Sequence, residues 1–142
     1  MSRGFSLLEL AVRLALMGVL AALAVPRLAG VLDWLAVSRA GGEVTTVLAI
    51  GRHAAIQHAG RMRVVIAFDS LRLDHWGAAG WERVARWSGP HEYGVALAVS
   101  NPEVVFGATG IGYAASNTKI VLQRGSHVET ITVSRLGRVK RW

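Results

Sequence analysis

The stretch GFSLLELAVRLALMGVLAALAVPRL, residues 4–28, decides how the rest of the chain is read. From Leu7 to Leu28 it is apolar on every face. As an α-helix it would run about 33 Å, the thickness of a bilayer's hydrocarbon core. Yet Glu9 and Arg13 lie near its start and Pro26 near its end. Three readings follow from the residues alone. A secretory signal peptide is one, with Arg3 ahead of the apolar run and Ala22-Leu23-Ala24 as a small-x-small cleavage site; Glu9 and Arg13 then fall inside an h-region that should carry no charge. A plain N-terminal anchor is the second, although a charge near mid-helix costs about 2.5–3.5 kcal/mol on insertion scales. A buried helix of a soluble protein is the third, and an apolar surface without a polar stripe argues against it.

Composition bounds the remainder. The chain has 142 residues, 52% of them hydrophobic, and no cysteine, so disulfides, zinc-thiolate clusters and thiol nucleophiles are excluded. With the N-terminal stretch set aside, one domain of roughly 80–110 residues remains, enough for a single modest core. The formal charge is +7 with a pI near 11.3, which points to an acidic partner such as nucleic acid, anionic lipid or an acidic protein. That charge is concentrated at the end. From Lys119 onward, Lys119, Arg124, Arg135, Arg138, Lys140 and Arg141 face a single acid, Glu129.

The string Gly4-Phe5-Ser6-Leu7-Leu8-Glu9, followed by Gly18, Ala21-Ala22 and Pro26, resembles the class III signal sequence of type IV pilins and type II secretion pseudopilins. The resemblance implies that a prepilin peptidase cuts after Gly4 and methylates the new N-terminal Phe5. The apolar helix then stays as a membrane anchor and later as filament core. It implies that Glu9 pairs with the amine of Phe5 on a neighbouring subunit, an ion pair that sets registry because its partners come from two chains. It also implies a helix bend at Pro26, where a backbone donor is missing. Arg13 departs from the pattern, because that position is apolar in most of the family. It lies at i+4 from Glu9, on the same helix face, so the two can neutralise each other within one chain, or Arg13 can snorkel to the cytoplasmic surface.

Beyond Pro26 the apolar positions Val44, Val47, Leu48, Gly51, Ala54 and Ala55 keep helical spacing, which predicts an amphipathic helix lying against a sheet. Gly41-Gly42 mark a second place to bend, and Ala59-Gly60 a stop. Strands are expected at RMRVVIAF (61–68), WERVARW (81–87), YGVALAVS ending at Ser100, EVVF (103–106), TKIVLQ (118–123), HVETITVS (127–134) and the tail from Leu136. Short strands separated by Gly, Asn, Pro and Ser favour antiparallel hairpins over crossover units. The fold class is therefore α+β, a long N-terminal helix packed on a small antiparallel β-sheet. Its divisions are a leader at 1–4, a membrane-spanning half-helix at 5–28, an amphipathic half at 29–59 and a globular β domain at 60–142.

RHAAIQHAGRMRVVIAF, VVFGATGIG, TKIVLQRG and ETITVSRLGRVKRW together resemble the GspH/FimT group of minor pilins, in which a helix ends in Gly before a basic strand and the chain closes on a strand ending Gly-Arg. The resemblance implies a single-pass protein of the inner membrane with an extracytoplasmic C-terminal domain, built into a pilus or pseudopilus. Its partners would be other pilins or pseudopilins, the prepilin peptidase, the assembly platform and membrane lipid. Some FimT-type members bind DNA through a C-terminal Gly-Arg-x-Arg motif, answered here by Gly137, Arg138, Val139 and Lys140, with Arg141 one place later. Lysine keeps the charge but not the planar fork. Arg135 adds a further charge to this end, and Trp142 beside it can stack on a base or pack back on the sheet.

No enzymatic constellation is legible. His53 and His58 are five apart, about 140° round a helix, and cannot share a metal. Gly107, Gly110 and Gly112 lack the lysine of a phosphate loop, and no Ser has nucleophile-elbow spacing. No metal or cofactor is called for. Trp34, Trp76, Trp81 and Trp87 read as core or interface residues. Two functions stay open: a structural minor pilin or pseudopilin, and a DNA-holding module for uptake on the same scaffold.

Overall fold

A computed structural model describes residues 6–113 and 117–142, with the backbone alone for 24–27. Gly4 and Phe5 lie outside the described residues. The chain forms two compact units, one ending at Leu32 and the other Asp33–Trp142. One helix, α1 (Leu7–Gln57), supplies residues to both.

In the first unit the helix carries no core of its own. Leu7, Leu10, Leu14, Leu16, Met17, Val19, Leu20 and Leu23 are all exposed, as the absence of a polar face requires. The helical backbone continues through Pro26.

In the second unit the same helix acquires a buried stripe: Ala36, Val37, Ala40, Val44, Val47, Leu48 and Ala55. The three- and four-residue steps put these side chains on one face. Gly41-Gly42 do not interrupt it, and Thr45 hydroxyl donates back to the carbonyls of both glycines at 2.9 Å. The helix ends at Gln57, two residues earlier than the expected 59. There the Gly60 N–H reaches back to the Ala55 carbonyl at 3.1 Å, and the left-handed residue is Ala59 (φ 45°).

Among the described residues eight strands follow: β1 (Met62–Ile66), β2 (Ser70–Gly77), β3 (Gly80–Ser88), β4 (Ala96–Val99), β5 (Glu103–Phe106), β6 (Thr118–Arg124), β7 (His127–Val133) and β8 (Val139–Arg141). They make two antiparallel four-stranded sheets, ordered β3-β2-β1-β5 and β4-β6-β7-β8, in place of the single sheet expected. Their inner faces share one core with α1. Val64, Ile66, Leu71, Leu73, Val104 and Phe106 come from the first sheet, and Ile120, Leu122, Ile131 and Val133 from the second.

Four expected strands are shorter, β7 only by the loss of Ser134. Tyr93 closes a 3-10 turn (Pro90–Tyr93) and Gly94 takes a positive φ of 64°, so β4 begins only at Ala96. The first strand stops at Ile66. The tail turns through Leu136 and Gly137 (φ 72°) before β8 begins at Val139. Strand β2 was not expected. Its outward side chains include Arg72 and Asp74, and Asp74 is buried because Arg63, directly opposite on β1, donates to it at 2.7 and 3.1 Å.

Candidate functional site: an apolar half-helix and a cationic sheet face

The sequence marks two regions, and the fold treats them differently. In the first unit Glu9 and Arg13, four apart, do meet: Arg13 Nη2 donates to Glu9 Oε1 at 2.5 Å, both side chains about half exposed. The within-chain pair is thus formed. It offsets one charge with the other inside a helix that is long and apolar enough to cross a membrane.

At the other end, cross-strand register distributes the tail residues. Arg141 lies opposite Ile131, which faces the core, so its side chain belongs to the helix side of the sheet. There it donates to both oxygens of Glu129, at 2.5 and 2.9 Å, and to the Ser38 carbonyl of α1 at 3.3 Å. The hydrogen bond to Glu129 raises the Arg141 pKa, against the opposing effect of its burial. Arg141 is therefore a clamp between strand and helix, and it does not join the other tail cations. Arg135 sits in the turn between β7 and β8, where its carbonyl accepts the Gly112 N–H at 2.8 Å.

Lys140 faces the other way. Thr132 lies opposite it on β7, and Lys119 lies opposite Thr132 on β6. The Ser100 N–H bonds the Lys119 carbonyl, which completes a transverse row of Ser100, Lys119, Thr132 and Lys140 on the outer face of the second sheet. Arg138, just before β8, donates its backbone N–H to the Ser134 hydroxyl at 3.3 Å. Lys119, Arg138 and Lys140 line one open concavity of about 550 Å³, together with Ser100, Asn117, Thr118, Thr132, Val133 and Ser134. Trp142 is exposed, with Lys140 Nζ 3.3 Å from its ring centre. Lys119, counted with the tail's charge but not among the candidate DNA-binding residues, is brought beside Lys140 only by strand pairing.

The remaining signals fall into structural roles. His53 and His58 are exposed on the helix surface and its end. Among the described residues no three His, Asp or Glu side chains are grouped to hold a metal ion. The GATGIG segment is a turn closed by Gly107 and Gly110 amides and bridged from Phe106 to Gly112. Trp87 and Tyr93 line a second hollow of about 440 Å³ beside Arg39, Glu43 and Thr46, where the Tyr93 hydroxyl donates to Glu43 at 2.6 Å. That hydrogen bond, then burial and the Glu43 charge, raise the Tyr93 pKa above 10.0.

The sequence matches no protein-family model and no curated protein. Solved structures do match. The type IV minor pilin FimU of Pseudomonas aeruginosa is similar with a TM-score of 0.61 at 13% identity, over 74% of this chain and 91% of that one. A second crystal form of FimU gives a TM-score of 0.63 at 13% identity, over 73% and 86%. The minor pseudopilin EpsH from the type 2 secretion system of Vibrio cholerae gives 0.58 at 14% identity, over 73% and 93%. This chain therefore has the α+β fold of minor pilins and minor pseudopilins, a long N-terminal helix with antiparallel sheets.

Proposed function

We propose that this chain is a minor pilin or pseudopilin, a non-enzymatic subunit that enters or initiates a type IV pilus or a type II secretion pseudopilus. The observation that carries the reading is the apolar first unit: every described side chain from Leu7 to Leu23 is exposed, on the helix of a pilin-like fold. Such a surface needs lipid or neighbouring helices around it. Before assembly the helix holds the chain in the inner membrane with the Asp33–Trp142 unit on the extracytoplasmic side. After assembly the same surface packs against other pilins.

In this reading the prepilin peptidase cuts after Gly4 and Phe5 becomes the methylated N-terminus. Arg13 Nη2 donates to Glu9 Oε1. A carboxylate accepts several donors, so Glu9 can hold Arg13 in its own chain and still receive the Phe5 ammonium of a neighbour. Arg13 then lowers the cost of membrane residence without removing the assembly contact. The intact mass of the membrane-extracted protein tests the processing step. It is expected to begin at N-methylated Phe5; a start at Val25 would mean secretory cleavage and no anchor.

A DNA-holding role rests on the tail cations acting together. With Arg141 bound to Glu129 and Arg135 set apart in the turn, the charge that would follow a duplex is divided, and the subunit reading is preferred.

A further inference from the structure

The outer face of the second sheet has a feature that filament packing through α1 does not use. Lys119, Arg138 and Lys140 line a single concavity, and neither an Asp nor a Glu lines it. None of the three is in a salt bridge among the described residues, whereas Arg63, Arg86, Arg124 and Arg141 all are. Lys119 and Lys140 flank Thr132 across two strand spacings, about 9.6 Å between their Cα atoms.

The uncharged groups complete a donor set. The Ser134 hydroxyl oxygen accepts the Arg138 N–H, which leaves its own O–H to donate. The Thr132 hydroxyl, between the two lysines, has no hydrogen-bond partner among the described residues. Two ammonium groups, a guanidinium and two hydroxyl donors without a carboxylate suit a ligand that only accepts hydrogen bonds and carries more than one negative charge. The volume of about 550 Å³ lies within the usual range for small-molecule sites.

We propose that this concavity binds a phosphate-bearing small ligand, either a phosphomonoester headgroup of a lipid or a free phosphate compound. Arg138 grips the phosphate through its planar fork, and Lys119 and Lys140 neutralise it from both sides of Thr132. A duplex is disfavoured because only three cations line this concavity, with Arg141 turned to the opposite face of the sheet. The ligand ties β6 to β8, the last strand, and the site is independent of the subunit role proposed above.

The test uses the full-length chain in neutral detergent, titrated calorimetrically with pyrophosphate. Saturable one-site binding is expected. Lys119→Gln and Lys140→Gln should each weaken it about tenfold, the loss of one charge-assisted contact. Thr132→Val, which removes no charge, should weaken it several-fold, and Arg135→Gln, which does, should leave it unchanged. Displacement of pyrophosphate by phosphatidic acid doped into the micelles assigns a lipid headgroup, and its absence assigns a free phosphate compound. No saturable binding, or equal weakening by Arg135→Gln, overturns the site. So does duplex DNA that competes at a lower phosphate concentration than either ligand, which would assign the face to nucleic acid.

Discussion

The two parts of α1 have the same secondary structure and opposite needs. Among the described side chains up to Leu32, large apolar residues are exposed, from Leu7 at 86% to Leu32 at 60%. From Asp33 onward, small and medium side chains fill a stripe that is buried almost completely, as at Ala40 (1%), Val44 (1%) and Leu48 (0%). Helical propensity is therefore not what separates them. One segment finds its apolar environment inside the chain; in the proposed role the other finds it outside, in lipid or among neighbouring helices.

Truncation at matched positions should separate the two parts of α1 most strongly. Leu48→Ala should destabilise the second unit by about 2–5 kcal/mol, the transfer loss plus the cavity, whereas Leu16→Ala should leave its melting temperature unchanged. All five tryptophans lie in that unit, so near-UV circular dichroism in detergent reports on it alone. A comparable loss from Leu16→Ala would mean that the apolar segment has a partner within the chain.

Adding a methyl group sharpens the contrast. A Cβ on Gly51 would lie 2.5 Å from Val64 Cγ2 and 3.3 Å from Leu73 Cδ1, while one on Gly18 would meet nothing within 4 Å. Gly51→Ala is expected to cost about 1–3 kcal/mol by overpacking. Gly18→Ala should raise helix stability by up to about 1 kcal/mol. If the Gly18 variant folds normally but fails to assemble, a neighbouring helix must approach that position closely.

The smallest effect is electrostatic and confined to the second unit. Because the folded pKa of Tyr93 is raised above 10.0, chiefly by its hydrogen bond to Glu43, the neutral phenol is favoured in the folded state. Its contribution to stability is present below pH 10.0 and disappears as pH climbs through the folded value. Thermal melts from pH 8 to 11 should therefore fall less steeply for Tyr93→Phe than for the parent.

The apolar segment, the amphipathic stripe and β5 were legible because each depends on local periodicity. Strand β2 was not. Its buried Asp74 is paired with Arg63 by the β1–β2 hairpin, which sequence spacing does not reveal. The division into two sheets was hidden for a similar reason, since β5 joins β1 and β4 joins β6 across long separations. At the tail, the basic run showed charge but not direction. Register sends Arg141 to Glu129 and Lys140 to the opposite face beside Lys119.

Incorporation into filaments separates a pilin subunit from a chain that only resides in the membrane. The chain is expressed with its cognate major pilin or pseudopilin, surface filaments are sheared and purified, and the bound fraction is quantified for the parent and for Glu9→Ala. The parent should copurify at substoichiometric amount while Glu9→Ala, processed normally, stays in the membrane. A parent chain that remains wholly in the membrane fraction while filaments form without it would rule out the subunit role.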